Sequence, residues 1–198
     1  MARRLRLALA GLAVAALAAV GIRVWLAPHL TDRIADSFGQ GDYRLETTAG
    51  TPFTAASLKG APSIVFFGYT HCPDVCPTTL GDIATWQDAL GEKAKGLRVF
   101  FITVDPERDT GAVLKDYLSW LPGAVGVTGN RTEIDKAIKA FHIYARKIPD
   151  EGGGGGYSYD HTASVLLFDA RGHMTEPVGY GVPEANALAA LHRLLDGG

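Results

Sequence analysis

Residues 67–77 read Phe-Gly-Tyr-Thr-His-Cys-Pro-Asp-Val-Cys-Pro, and they contain both cysteines of the chain. The preceding residues 63–67 are almost entirely apolar, as expected of a central strand that is covered on both faces. After them, Leu80, Ile83 and Leu90 recur at helical spacing. The stretch therefore marks a strand-to-helix junction, where functional groups gather in open α/β sheets.

The two cysteines, Cys72 and Cys76, are separated by three residues. Pro77 suits the first position of a helix, which would place Cys76 at a helix N-terminus, where the macrodipole favours a thiolate. Cysteines one helical turn apart meet the Cα separation of roughly 4.4–6.8 Å that a disulfide needs. Two thiolates also suit a soft metal ion. A purely structural pair is the alternative.

Two thiolates leave a soft metal short of ligands, so one of the six histidines is a candidate third donor. His161 directly precedes an apolar strand and follows the run of glycines at 152–156, so it could swing toward the cysteines. On the residues alone, a structural role is the more common one for such a histidine. His71 adjoins Cys72 but is predicted to point away from it.

The remaining chain alternates predicted strands and helices and contains no internal repeat. The predicted elements are an outer hairpin at 43–53, a strand at 99–104, a helix through 113–121, a strand at 124–127, a helix at 130–145 with Asn130 as N-cap and Glu133 completing a capping box, a hairpin at 163–178, and a last helix through 188–195. This order predicts an α/β fold with a thioredoxin-like mixed central sheet flanked by helices. That domain is expected to span residues 43–198.

The N-terminal segment 1–28 is predicted to be a membrane anchor. Its arginine-rich start precedes an apolar run at 7–22, which is short of the roughly 20 residues that cross a bilayer. Arg23 extends the run if its side chain snorkels to the interface. A cleaved signal peptide is the alternative, although no small-x-small site follows the run. Either way the arginines stay cytoplasmic, so we expect a polar tether at 29–42 and a periplasmic domain on a bacterial inner membrane.

The charge distribution argues against nucleic acid as a partner. Residues 1–27 hold four of the 19 basic residues and none of the 21 acidic ones, so the remainder of the chain is acidic. Nucleic-acid binding requires cations clustered on one face.

Three motifs, in this order, make the chain similar to the Sco/SenC family. They are Phe-Phe-Gly-Tyr-Thr-His-Cys-Pro-Asp-Val-Cys-Pro at 66–77, Val-Asp-Pro-Glu-Arg-Asp-Thr at 104–110, and Asp-His-Thr at 160–162. The resemblance covers roughly residues 40–195. The glycine-rich loop before His161 departs from the family pattern, and its backbone freedom raises the entropy lost when that histidine binds a metal.

The resemblance implies that Cys72, Cys76 and His161 bind copper, as Cu(I) or Cu(II). It implies a metallochaperone that assists maturation of the dinuclear copper site of cytochrome c oxidase. The implied partners are the copper-bearing oxidase subunit, another copper chaperone and a thioredoxin-like reductant. Asp105, together with His71 and Asp160, is a candidate to support the ligands or to contact a partner. The alternative for Asp105 and Asp109 is that they cap the following helix.

Two functions of different classes therefore remain. A metallochaperone transfers copper without turnover, whereas an exported thiol–disulfide oxidoreductase would use Cys72 and Cys76 as a redox couple and would not need His161. A peroxidase is the least favoured, because the usual Pro-x3-Thr/Ser-x2-Cys context is missing at both cysteines.

Overall fold

The structure is a computed structural model that describes residues 11, 15–23, 35–150 and 156–197. Most of the predicted anchor at 1–28 lies outside these residues. Within the described part of the chain, no helix has both the length and the apolar character needed to span a bilayer.

The described residues from Ser37 onward form one compact unit. Its helices and strands are β1 (Leu45–Thr47), β2 (Pro52–Phe53), β3 (Ser63–Gly68), α1 (Val75–Leu90), β4 (Arg98–Thr103), α2 (Gly111–Tyr117), β5 (Ala124–Thr128), α3 (Arg131–Ala140), β6 (Ala145–Pro149), β7 (Tyr157–His161), β8 (Val165–Phe168), β9 (Met174–Val178) and α4 (Glu184–Asp196).

Seven of the strands form a mixed sheet in the order β2-β1-β5-β4-β3-β8-β9. Strands β3, β4 and β5 are parallel neighbours, while β8 and β9 extend the sheet as an antiparallel hairpin. All six residues of β3 are buried, which explains its continuous apolar sequence. The predicted outer hairpin is confirmed, because β1 and β2 pair antiparallel at the edge of the sheet.

The compact unit begins inside the segment that was predicted as a tether. The Gly39 N–H donates to the Ala140 carbonyl over 2.9 Å, and the Tyr43 hydroxyl donates to the Gly39 carbonyl over 2.8 Å. A Cβ at Gly39 would lie 2.5 Å from Leu58 Cδ1, so the glycine permits a close approach to the core. The polar, glycine-containing residues around Gly39 are therefore part of the packed domain. Residues 29–34 of the predicted tether lie outside the described chain.

The helix predicted at 130–145 ends earlier, and this is a correction. Asn130 is the N-cap, as predicted, and its side chain accepts the Glu133 N–H over 3.0 Å. The Glu133 carboxylate does not complete a capping box with Asn130, because it accepts the Arg44 N–H instead. The helix ends at Ala140 because Phe141 packs into the core and His142 reverses the chain with a φ of 52°.

A two-stranded sheet formed by β6 and β7 follows, where the sequence predicted only a glycine-rich loop. Its strands flank the glycines, and Ala145 pairs with His161 at its base. His161 is thus the last residue of a strand.

Candidate metal centre

The cysteines lie where β3 gives way to α1. The helix begins at Val75, so Cys76 is its second residue and Pro77 its third. Pro77 was predicted at the first position, and this is a correction. A proline is tolerated two residues later because the first N–H groups of a helix have no partner within it. Cys72 lies in the preceding turn, where its sulfur accepts the Cys76 N–H over 3.4 Å.

The structure brings Cys72, Cys76 and His161 together. One sulfur from each cysteine and one ring nitrogen of the histidine all lie within 4.8 Å of one another. Cys76 Sγ is 3.5 Å from His161 Nε2. His161 Nδ1 lies 2.9 Å from the Thr162 carbonyl oxygen, which can only accept a hydrogen bond. Nδ1 therefore carries the proton of the neutral ring, and the lone pair of Nε2 faces the sulfurs.

Burial decides the protonation of this site. Cys76 is fully buried, and burial raises the pKa of its thiol, with a negative charge on Cys72 acting in the same direction. The expectation that the helix N-terminus would favour a thiolate at Cys76 is therefore wrong, because desolvation is the largest influence on this thiol and disfavours its charged form. Burial also lowers the pKa of His161, so the neutral imidazole is favoured.

Aromatic rings and a glycine shape the pocket around the ligands. The Tyr69 and Phe66 rings meet the His161 ring edge-on, with centroids 5.8 and 6.4 Å apart. A Cβ on Gly68 would lie 2.9 Å from Cys76 Sγ and 2.9 Å from Phe101 Cε2. The last residue of β3 must therefore be glycine if this sulfur is to occupy its place. Sequence reasoning missed Gly68, although its position just before a cysteine-bearing turn was a usable signal.

Asp109 holds the start of the cysteine-bearing turn. Its buried carboxylate accepts the Thr70 N–H over 3.0 Å, the Thr70 hydroxyl over 2.6 Å and the Thr103 hydroxyl over 2.6 Å. Capping by Asp105 or Asp109 is not observed, because the N-cap of α2 is Thr110. Asp109 instead ties the end of β4 to the turn after β3.

The three predicted supporting residues differ in their surroundings. Asp105 is fully buried, accepts the Tyr157 hydroxyl over 2.9 Å and pairs with Arg108. Burial raises the pKa of Asp105, while both of these hydrogen bonds act in the opposite direction. Such a carboxylate is not exposed for direct contact with a partner. His71 is exposed, and its Nδ1 lies 3.0 Å from the Thr70 hydroxyl, whereas Asp160 is exposed in β7.

The donor set suits a soft metal ion that can be released. Two thiol sulfurs and an imidazole are soft or intermediate donors, whereas hard cations prefer oxygen ligands. The sulfurs come from the turn after β3 and from the start of α1, whereas the imidazole comes from a separate hairpin, so the site opens if the hairpin moves. Because Cys72 is only half-buried, it offers a route to the site from solvent.

Comparison with known proteins shows the family to which the chain belongs. The family model described as SCO1/SenC matches residues 32–196, which include both cysteines and His161. The chain belongs to the SCO1/SenC family. The similar proteins include the mitochondrial protein SCO1 of Saccharomyces cerevisiae, 37% identical over 150 residues that cover 75% of this chain and 51% of the yeast protein. The chain thus spans about half the length of that relative.

Other members of the SCO1/SenC family match more of their length. Protein SenC of Rhodobacter capsulatus is 34% identical over 80% of this chain and 76% of its own. The copper-bound structure of Bradyrhizobium japonicum ScoI is 42% identical with a TM-score of 0.71, covering 79% of this chain and 99% of that one. Copper-bound yeast Sco1 is 33% identical with a TM-score of 0.74, covering 82% and 90%. These matches confirm the thioredoxin-like α/β architecture.

Proposed function

We propose that this SCO1/SenC protein is a copper metallochaperone that binds one copper ion, as Cu(I) or Cu(II), through Cys72, Cys76 and His161. The observation that carries the proposal is the convergence of two sulfurs and one imidazole nitrogen within 4.8 Å. The copper-bound structures of two relatives support the choice of metal.

Copper is the cargo in this proposal, and the side chains control its loading and release. Both thiols must lose their protons before they can act as ligands, whereas His161 is already neutral and presents Nε2. Cys72 is the more accessible sulfur, so an incoming donor or acceptor meets it first. Withdrawal of His161 with its hairpin would leave two ligands and favour transfer to the partner.

The acceptor that we propose is the copper-bearing subunit of cytochrome c oxidase, with another copper chaperone as donor and a thioredoxin-like protein as reductant. Family membership and the exported character suggested by the arginine-rich start support this choice. We also propose that residues 1–28 anchor the protein in a bacterial inner membrane and that the domain lies in the periplasm. An oxidising compartment would make a reductant necessary, because only reduced thiols bind copper.

A second candidate function is thiol–disulfide exchange, which is favoured by the close sulfurs of Cys72 and Cys76. The Cys72 thiolate would attack a partner disulfide and form a mixed disulfide, and Cys76 would then attack the Cys72 sulfur. The partner is released with two thiols, and this protein is left oxidised, with a Cys72–Cys76 disulfide. This reaction does not require His161.

Copper stoichiometry and the visible absorption of the reduced protein test the two functions. One copper per chain and a thiolate-to-Cu(II) charge-transfer band are expected, and both should be lost in Cys72→Ala and His161→Ala. His192→Ala is the matched control, because His192 is exposed on α4. Unchanged copper affinity in His161→Ala would overturn the three-ligand site. A protein that retains no copper but cycles a Cys72–Cys76 disulfide would favour the oxidoreductase.

A further inference from the structure

Strand β7 presents three aromatic side chains to the compact domain. Tyr157, Tyr159 and His161 occupy alternate positions, so they share one face of the strand. We call Tyr157, Tyr159 and His161 the aromatic row. We propose that Arg108 and Arg131 clamp the two tyrosines of this row and thereby hold His161 against Cys76. The two arginines are then positioning residues for the metal site. Their effect on copper release rests on the proposed function.

The first clamp closes around Tyr157. The guanidinium of Arg108 lies 3.7 Å from the centroid of the Tyr157 ring, and its Nη1 donates to the Tyr157 carbonyl over 3.0 Å. The Tyr157 hydroxyl donates to Asp105, to which the Arg108 Nε also donates. Asp105 is fully buried and cannot replace these two donors with water. The triangle of Arg108, Tyr157 and Asp105 therefore resists opening.

The second clamp closes around Tyr159, two residues from His161. Arg131 Nη2 lies within 3.1 Å of the Tyr159 hydroxyl oxygen, 2.7 Å of a Glu107 carboxylate oxygen and 3.0 Å of the Val104 carbonyl oxygen. On the side of the ligands, the Tyr159 ring meets the Tyr69 ring edge-on with centroids 5.7 Å apart. Tyr69 also packs against His161, so the second clamp leads directly to the metal site.

The hairpin needs such clamps because β6 and β7 form a sheet of their own within the described chain. At its base, the Thr162 N–H donates to the Tyr144 carbonyl over 2.9 Å, which keeps the two strands together. That bond does not fix the hairpin against β3 or α1. The side-chain contacts of the row do so, and they determine whether His161 reaches the sulfurs.

The test combines amide hydrogen exchange of the metal-free full chain with removal of Cu(I) by a chelator. In Arg131→Gln and Arg108→Gln, the hairpin amides should exchange about tenfold faster or more, while the β3 amides keep their protection. Copper should leave both variants about tenfold faster than it leaves the wild-type protein, or more. Arg131→Lys should bring the rate of release only part of the way back to the wild-type rate. The matched control is Arg193→Gln, which removes an arginine–glutamate pair on the surface, between α4 and β9.

Unchanged exchange of the hairpin amides in both arginine variants would overturn the inference. So would a loosened hairpin that releases copper at the wild-type rate. Tyr159→Phe removes only a hydroxyl, and it decides the question if a charge-removing variant fails to fold. If the wild-type protein holds no copper, the proposed function fails, while the exchange data alone still decide whether the arginines clamp the hairpin.

Discussion

Two residues of the metal centre, Cys76 and His161, favour their uncharged forms before copper binds. Cys76 is buried with a raised pKa, and His161 is half-buried with a lowered pKa. A buried thiolate without a counter-charge would be costly. Copper binding and thiol deprotonation are therefore coupled at this site.

This coupling predicts that copper affinity rises with pH. The Cys76 proton must leave when the metal binds, so the affinity should gain about tenfold per pH unit from this proton between about pH 6 and pH 8. His161 adds less in that range than an ordinary histidine would, because burial lowers its pKa. Chelator competition at several pH values measures the slope. An affinity that does not change with pH would show that the metal does not displace this proton.

Gly68→Ala tests the space around the Cys76 sulfur. The added Cβ would approach Cys76 Sγ and Phe101 Cε2 to 2.9 Å, and both side chains are buried. The variant should lose about 1–3 kcal/mol of unfolding free energy through overpacking, and copper affinity should fall. Denaturant unfolding and chelator competition measure the two effects. Gly81→Ala in α1 is the control, because nothing lies within 4 Å of its new Cβ, and it should be neutral or slightly stabilising.

At the scale of elements, the β6–β7 hairpin is the part whose attachment responds to acid. Glu107 shares Arg131 with Tyr159. The hydrogen bond from Arg131 lowers the pKa of Glu107 to about 2, below its ordinary value of 4.5. The ion pair between Arg131 and Glu107 is therefore fully formed above the ordinary pKa of a glutamate. It is lost as the pH falls through the lowered pKa that Glu107 has in the folded protein.

We expect the protection factors of the hairpin amides to decrease between about pH 4.5 and pH 2. The physical reason is that a protonated Glu107 no longer orients the guanidinium that contacts Tyr159. Hydrogen exchange across this range, corrected for intrinsic rates, measures the change. Glu107→Gln should remove the part of the pH dependence that follows the low pKa of Glu107, whereas a loss of protection at higher pH belongs to Asp105, whose pKa is raised by burial. A variant that keeps the loss of protection near pH 2 would assign that loss to another group.

At the scale of the whole molecule, a small number of buried polar residues join distant segments. Asp109 connects the turn after β3 with the end of β4, and the Thr128 hydroxyl donates to its carbonyl over 2.9 Å at the end of β5. The ends of three parallel strands are thereby held together beside the ligands. This arrangement links global stability to the position of the cysteines.

Asp109→Ala should therefore destabilise the whole domain by about 3 kcal/mol or more, because it removes the acceptor of the buried Thr103 hydroxyl and of the half-buried Thr70 N–H and hydroxyl. Chemical denaturation measures the loss. Asp196→Ala, which removes an exposed pair with Lys93, should change stability far less than Asp109→Ala, because solvent screens the pair. Equal effects of the two substitutions would contradict a structural role for Asp109.

The proposed membrane attachment also belongs to this scale. We expect the full-length protein to remain in the membrane fraction after carbonate extraction, because the apolar run at 7–22 would be retained in the bilayer. Protease added to spheroplasts should digest the domain, since the proposed topology keeps the arginines at the N-terminus on the cytoplasmic side. Release of the intact domain by carbonate would favour the cleaved signal peptide.

The sequence by itself determined the order of the main strands and helices and the position of the cysteine pair. Buried strands such as β3 and helices such as α1 are marked by local apolar patterns, which need no knowledge of distant residues. The junction at residues 67–77 was predictable for the same reason. The choice of His161 relied on the family resemblance, because a single histidine before a strand has no local signature of ligation.

Only the tertiary structure decided how the site is assembled and protonated. His161 is 85 positions from Cys76, and their approach depends on the neighbouring places of β3 and β8 in the sheet. Burial favours the neutral thiol of Cys76, where the sequence predicted a thiolate. Packing of Phe141 ends α3 at Ala140, which leaves the following residues free to form β6. The contacts of Arg108 and Arg131 with β7 likewise join segments far apart in the chain. Desolvation and long-range packing are properties of the folded chain, and a local pattern does not encode them.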